Sequence, residues 1–171
     1  MQTHALMATT DMQALLNTLP QVGTVHWIGI RPARRADLQA VPEIGVTEAE
    51  GLVGDHYSGR SKKRQVTLIQ AEHLAGVAVM LGRERIDPGL TRRNIVVAGI
   101  NLLAFNERQF RIGEVILEMT GLCHPCSRME ENLGPGGYNA MRGHGGITAR
   151  VVKGGMIREG DEVALVNHVK S

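Results

Sequence analysis

The sequence predicts a mostly β fold of the α+β class, in which a β-barrel or folded sheet carries a few peripheral helices. The candidate strands are short and contain many β-branched residues. Glycine-containing turns separate them, and glycine accounts for 21 of the 171 residues. Only two segments have the spacing of apolar residues that is typical of a helix. A chain of this length is long enough to bury a hydrophobic core.

The N-terminal part is predicted to contain a helix followed by a strand. Residues 10–19 begin with capping residues and carry apolar side chains at helical spacing, and Pro20 ends them. We therefore assign residues 1–20 to an N-terminal helical extension and residues 21–171 to the main domain. Residues 22–30 alternate in part between two sets of side chains, which predicts the first strand.

The sign of the charge changes along the next segment. Arginines at 31–35 are followed by residues 37–55, in which every charged side chain is acidic, and then by a basic run at 60–64. We interpret the acidic and basic stretches as two solvated loops.

The rest of the chain is predicted to add strands, one helix and a glycine-rich turn region. The segment 133–146 is rich in glycine and is read as turns. The other predicted elements are a strand at 65–69, a helix at 70–81, a strand at 95–97, a hairpin at 110–120 and a final strand-turn-strand unit at 147–152 and 162–166.

The composition excludes several classes of protein. Five aromatic residues are too few for a platform that stacks nucleic-acid bases, and a net charge of +2 does not suit a strongly basic duplex binder. No apolar run is long enough to span a membrane, and the N-terminus lacks the pattern of a secretion signal. Two cysteines cannot form a disulfide scaffold. We expect a cytoplasmic protein that binds neither nucleic acid nor membrane.

The sharpest local feature is the sequence Cys123-His124-Pro125-Cys126. Such a pair is compatible with a dithiol redox site, or with half of a zinc site that His124 and His144 complete. It is also compatible with a single functional thiolate at Cys126, with Cys123 as a small core residue. The nearby Arg128 would favour that thiolate. A fourth interpretation is that both cysteines are buried and unreactive.

Three further segments contain candidate binding residues. Thr91–Ile95 contains two arginines and an asparagine, which are suitable donors to a phosphate or which form a basic surface turn. Gly51–Arg60 is a glycine-containing loop with Asp55 and His56; it is either an anion-binding loop or a polar surface loop, and it does not match the P-loop pattern. The glycines of Gly143–Gly146 allow a close approach of backbone to a ligand or form a plain tight turn.

Taken in order, these segments resemble the MOSC domain, the family named after the C-terminal domain of molybdenum cofactor sulfurase. The similar region extends from about Gly23 to Leu165 and looks closest to the short, stand-alone bacterial branch. The resemblance rests on the segments GLVGDHYSGR, RQVTLI with the following Glu72, TRRNIVVAGINLL, RIGEVILEMTGLCHPCSR and HGGITARVVKGGMIREGDEVAL.

The resemblance implies a barrel-like β fold with a site for the molybdenum cofactor (molybdopterin), or for sulfur in transit to a metal. It implies that Cys126 is the metal ligand and catalytic residue. By the same matching, the residues near the cofactor and its phosphate are Arg92, Arg93, Asn94, Arg128, Asp55, His56 and His144. The loop after His56 departs from the family pattern, because Tyr57-Ser58-Gly59 replaces a common His-Gly-Gly.

Three functions follow as hypotheses. The chain binds the molybdenum cofactor and reduces N-hydroxylated substrates with electrons from a partner reductase, since no flavin or iron–sulfur motif is present. Alternatively, Cys126 accepts sulfur as a persulfide from a cysteine desulfurase and delivers it to a metal centre. In the third hypothesis the chain has no chemistry of its own and serves as a binding module.

Overall fold

The computed structural model describes residues 11–57 and 61–166, and eleven strands lie within these ranges. In chain order the strands are β1 (Gly23–Ile30), β2 (Gln39–Ala40), β3 (Glu43–Thr47), β4 (Gly51–Leu52), β5 (Val66–Gln70), β6 (Ile95–Ala98), β7 (Gln109–Ile112), β8 (Val115–Leu122), β9 (Ile147–Lys153), β10 (Gly155–Arg158) and β11 (Glu162–Leu165).

Seven of these strands form a closed barrel, which confirms the predicted fold class. Their order is β11-β7-β8-β9-β5-β6-β1, and the pairing of β11 with β1 closes the ring. The hairpin predicted at 110–120 is formed by β7 and β8. The strands predicted at 22–30, 65–69, 95–97 and 147–152 correspond to β1, β5, β6 and β9. Because the ring is closed, the first and last strands of the order pair with each other instead of leaving free sheet edges.

The helices of the described region are α1 (Met12–Asn17), α2 (Ala71–Met80), α3 (Ser127–Leu133) and α4 (Gly137–Met141). Two 3₁₀ turns, Pro88–Thr91 and Leu102–Phe105, flank β6. Helix α2 confirms the helix predicted at 70–81 and connects β5 to β6, which are paired in parallel. A parallel pair needs such a crossover, whereas the hairpin strands do not.

The interpretation of residues 133–146 as turns alone is wrong, because this segment contains the end of α3 and all of α4. Gly134 and Gly136 have φ values of +87° and +88°, which end one helix and begin the next. The carboxylate of Glu130 accepts hydrogen bonds from the backbone N–H groups of Gly136 (2.7 Å) and Tyr138 (3.0 Å). This side chain from the preceding helix satisfies donors that an N-cap residue normally satisfies.

The acidic stretch 37–55 is also more ordered than a solvated loop. It contains β2, and its strands β3 and β4 form a small sheet with β10, in the order β10-β3-β4. Ile44 and Val46 are buried in β3, whereas Glu43 and Thr47 are exposed and Gly45 is half-buried, so the alternation was present but was masked by the charges. Strand β10, which lies between the two predicted terminal strands, was not predicted from the sequence.

Two hydrophobic clusters hold these elements together. The larger cluster fills the barrel and includes Leu68, Phe105, Phe110 and Leu117. The second cluster lies between the outer face of β5–β6 and helices α2, α3 and α4. Because both faces of β5 are covered, all five of its residues are buried.

Helix α1 buries none of its residues. Residues 1–10 of the predicted N-terminal extension lie outside the described part, so the boundary at residue 20 stays a prediction. No helix among the described residues is both long enough and apolar enough to cross a membrane.

Candidate functional site

The two cysteines occupy different environments. Strand β8 ends at Leu122, and the loop that follows places Cys123 in the core with 1% of its surface exposed. Cys126 is exposed and lies directly before α3, at the N-cap position. Both thiols are free. The sulfur of Cys123 lies 3.8 Å from Nη2 of Arg64.

A buried guanidinium group fixes the loop that carries these cysteines. Arg93, which is 5% exposed, donates from Nε to the carbonyl oxygen of Gly145 (2.7 Å) and from Nη1 to that of Thr91 (2.9 Å). Its Nη2 donates to the carbonyl oxygens of Cys123 and His124, both at 3.2 Å. Arg93 therefore ties three separate segments of the chain together.

Burial lowers the pKa of Arg93, while the nearby Cys123 and Cys126 thiols act in the opposite direction. The guanidinium remains a cation, because its ordinary pKa is far above neutral. Its charge therefore lies near both sulfur atoms, although most of its N–H groups are committed to backbone carbonyls.

The glycines at 143–146 serve this packing. A β-carbon on Gly145 would overlap the carbonyl oxygen of Cys123, and one on Gly146 would overlap the carbonyl oxygen of Leu68 in β5. The backbone N–H of Cys123 donates to the carbonyl oxygen of Gly146 at 2.8 Å. These two glycines let the loop pack directly against β5 and the cysteine loop, which is a close approach to protein backbone rather than to a ligand.

We expect Gly146→Ala to destabilise the protein by about 3 kcal/mol, because it combines a left-handed backbone with steric overlap. Gly146 has a φ of +86°. Gly143 is the matched control: its φ is +79°, but a β-carbon there has no neighbour within 4 Å. Gly143→Ala should therefore cost only about 1 kcal/mol, the strain of the backbone alone. Urea unfolding of both variants measures the difference, and equal losses would contradict this interpretation.

Asn94 and Asp55 form a second internal network. Asn94 is fully buried; its Oδ1 accepts from the backbone N–H (3.1 Å) and the hydroxyl (3.0 Å) of Thr67. Its Nδ2 donates to the carbonyl oxygen of Gly29 (3.1 Å) and to Oδ1 of Asp55 (3.3 Å). Asn94 thus connects β1, β5 and the loop that carries Asp55.

The side chain of Asp55 is 1% exposed and holds this loop against the end of β1. Its Oδ1 accepts from the backbone N–H of Arg31 at 2.8 Å, and its Oδ2 lies 3.1 Å from Nη2 of Arg31. His56, the next residue, is exposed at the surface of the loop. Residues 58–60, and with them the predicted basic residue Arg60, lie outside the described part.

We expect Asn94→Ala to lower the free energy of unfolding by about 2 kcal/mol, because it leaves buried donors and acceptors unpaired. The exposed Asn139 of α4 is a matched control, since Asn139→Ala is expected to change stability by less than about 0.5 kcal/mol. Chemical denaturation compares the two. An equal effect of the two substitutions would show that the network contributes no stability.

Two arginines near Cys126 retain unused donors. Arg92 has a φ of +61° and donates from Nη1 to the carbonyl oxygen of Ala36 at 3.0 Å; its other side-chain N–H groups have no acceptor among the described residues. Arg128 is partly exposed in the first turn of α3 and donates to no acceptor within residues 11–57 and 61–166. Burial lowers the pKa of Arg92, as do Arg128 and Arg31, while Asp37 and Cys126 oppose the shift. The guanidinium groups of Arg92 and Arg128 therefore lie in the neighbourhood of one exposed thiol.

His144 lies apart from this group. Its ring packs edge-to-face on the ring of His73, with the centroids 5.0 Å apart, and its buried Nδ1 has no hydrogen-bond partner in the described part of the chain. No cluster of three or more His, Cys, Asp or Glu residues within that part could hold a metal ion. The zinc interpretation of Cys123, Cys126, His124 and His144 thus gains no support.

The sequence did not predict that Arg31, Arg64 and His73 lie near the site. Arg31 and Arg64 belong to charged stretches of the sequence, and their proximity to the site arises from contacts between residues far apart in the chain. His73 had no signal of its own, because it is one of two polar residues in a helix that is otherwise apolar.

Comparison with known proteins agrees with this fold. The family model of the MOSC domain matches residues 53–164 of the sequence. No curated protein matches the sequence significantly.

Among solved structures, the YuaD protein from Bacillus subtilis superposes with a TM-score of 0.73 at 18% identity, covering 86% of this chain and 98% of that one. YiiM from Geobacillus stearothermophilus gives a TM-score of 0.70 at 17% identity, covering 87% and 77% of the two chains. YiiM from Escherichia coli gives 0.65 at 18% identity, covering 86% and 72%. At these identities the structures support the fold alone. The family match extends over more than half of the sequence, and the chain therefore belongs to the MOSC domain family, which is associated with binding of the molybdenum cofactor.

Proposed function

We propose that the chain binds the molybdenum cofactor with Cys126 as a metal ligand and reduces N-hydroxylated substrates with electrons from a partner reductase. The observation that carries this proposal is the exposed thiol of Cys126 beside guanidinium groups with unused donors. A second cysteine lies three residues away but is buried, which leaves one accessible sulfur in this loop.

The chemistry of the donor set suits this cofactor. A thiolate is a soft ligand that is appropriate for a metal bound by dithiolene sulfur. Arg92 and Arg128 offer charge-assisted hydrogen bonds to a phosphate group. Arg93, Asn94 and Asp55 have protein partners for most of their polar groups, so we assign them the role of positioning these loops.

The bound cofactor supplies the two-electron chemistry of the reaction. The overall reduction of an N-hydroxylated amine consumes two electrons and two protons and yields the amine and water. The chain's own residues hold the Cys126 sulfur at the end of a loop that Arg93 makes rigid, and they present positive charge to an anionic group. The electrons are proposed to come from a separate reductase, since the sequence has no flavin or iron–sulfur motif.

The decisive experiment is to determine the molybdenum and pterin content of the protein freshly purified from a host that makes the cofactor. Near-stoichiometric amounts of both are expected. If the protein contains neither, the proposal is wrong. Purified holoprotein should then convert an N-hydroxylated amine to the amine only when a reductase is added.

The same exposed thiol also favours a second candidate, a sulfur carrier. The Cys126 thiolate would attack the terminal sulfur of a persulfide on a cysteine desulfurase, forming a Cys126 persulfide and releasing the donor's cysteine thiolate. The burial of Cys123 favours transfer onward to a metal centre over rapid closure to a disulfide. Mass spectrometry should then show an adduct of about 32 Da on Cys126. Absence of this adduct after incubation with the desulfurase and cysteine would contradict the sulfur-carrier function.

A protein that lacks both the cofactor and the adduct would instead fit the binding-module hypothesis. In that case titration with a thiol reagent should show that Cys126 reacts at the rate of an ordinary exposed thiol.

A further inference from the structure

A narrow cleft lies beside the loop that carries Cys126. Its lining comes from four places: the start of α2, the 3₁₀ turn Leu102–Phe105, the segment 122–125 and the loop 143–147. The segment 122–125 leads directly into Cys126, so one stretch of chain contributes both to the cleft and to the candidate metal site.

The cleft is apolar and uncharged. Among the residues that the structure describes, no Arg, Lys, Asp or Glu lines it. Leu103 and Leu122 line it while remaining 45% and 50% exposed, so part of its apolar lining faces solvent. Such a concave, mostly apolar surface with a few polar groups is typical of a small-molecule site.

The polar side chains of the lining are Gln70, His73, and His124, together with backbone groups. The Oε1 atom of Gln70 is already used, since it accepts from the backbone N–H of Leu102 at 3.0 Å. Burial lowers the pKa of His73, and the adjacent His144 lowers it further, while Glu72 opposes the shift. His73 is therefore mostly a neutral imidazole at pH 7, able to donate or accept one hydrogen bond.

The volume of the cleft, about 40 Å³, limits what it can hold. A single water-sized group needs roughly 10–15 Å³ on this scale, so the cleft has room for about three such groups. A whole pterin does not fit. Arg92, Arg93 and Arg128 do not line the cleft, so it is a different kind of site from the one proposed to bind the phosphate.

We propose that this cleft binds one uncharged, mostly apolar end of a small molecule, with His73 as the hydrogen-bonding group. Under the proposed function, on which this role depends, that molecule is the substrate. The substrates are then neutral at the end distant from the reacting nitrogen, and phosphorylated or carboxylated analogues are excluded from the cleft.

Titration of ¹⁵N-labelled protein with acetamide, which is small enough for a cleft of this volume, tests the proposal by NMR without any need for the metal. Saturable shifts are expected for the amide signals of Leu103, Leu122 and Gly145. Acetate has nearly the same shape but carries a charge, and it should bind to these residues about tenfold more weakly because the cleft cannot solvate the carboxylate.

Two variants locate the binding. Leu103→Glu introduces a charge at the cleft and should weaken acetamide binding about tenfold. Met80→Glu is the matched control, because Met80 is similarly exposed (55%) but does not line the cleft, and it should leave binding unchanged. Unchanged chemical shifts elsewhere in the spectrum would show that both variants fold.

Several outcomes overturn the proposal: no saturable shift with acetamide, equal binding of acetate, or equal weakening by the two variants. Acetamide binding in a protein that purifies without molybdenum would support the cleft and contradict the proposed function. A protein that contains molybdenum but does not bind acetamide would support the proposed function and contradict the role of the cleft.

Discussion

Replacement of Cys126 by serine is expected to lower the molybdenum content of the purified protein at least about tenfold, because it removes the soft ligand of the metal. The hydroxyl of serine is almost isosteric with the thiol but is neither ionised near neutral pH nor soft. Cys126 is exposed and its side chain makes no cap hydrogen bond, so the variant should fold like the parent. Elemental analysis of protein from the same cofactor-producing host measures the effect.

Cys123→Ala is the matched control for this experiment. Cys123 is 1% exposed and behaves in the structure as a small core side chain, so alanine should preserve the metal content at a modest cost in stability. Molybdenum that is unchanged by Cys126→Ser, or lost equally in both variants, would show that Cys126 is not the ligand. Retention of the pterin without the metal in Cys126→Ser would place the cofactor at the arginines and support their assigned role.

The barrel was predictable because most of its strands produce a local pattern in the sequence. The hairpin of β7 and β8 shows alternation on both sides of a glycine turn, and the burial in the structure follows it residue by residue. Elements without such a pattern were missed. Helix α4 begins after glycines that read as turns, and its start depends on the Glu130 carboxylate from the preceding helix.

The alternation of β8 does not by itself separate the two cysteines. Val115, Leu117 and Met119 face the core, but the pairing with β9 shifts register after Met119 and the strand ends at Leu122. The burial of Cys123 and the exposure of Cys126 therefore follow from the course of the loop. The proximity of Arg92 and Arg93 to Cys126 likewise depends on contacts between segments that are far apart in the chain.

The adjacent arginines Arg92 and Arg93 show why motif matching alone overestimates a binding site. Two neighbouring side chains on an irregular or extended backbone point in different directions, so a pair of arginines rarely forms one anion site. Here Arg93 points into the protein and binds four carbonyl oxygens, while Arg92 keeps free donors. The two residues are therefore expected to respond differently to substitution.

Arg93→Ala is expected to lower the free energy of unfolding by about 4 kcal/mol, because it leaves several buried carbonyl oxygens without a donor. Arg93→Lys should recover only a small part of this loss, since one ammonium group cannot reach the oxygens of Thr91, Gly145 and Cys123 together. Urea unfolding of the two variants and the parent measures both effects.

Arg128→Ala is expected to have the opposite effect, a loss of cofactor without a loss of stability. Arg128 has no acceptor in the described part of the chain, so its loss should change stability by less than about 0.5 kcal/mol while weakening retention of the cofactor. A positioning role for Arg93 requires that its variants lose stability and cofactor together. If Arg93→Ala unfolds at the same urea concentration as the parent but loses the cofactor, Arg93 contacts the cofactor directly, and its four carbonyl contacts contribute little to the stability of the fold.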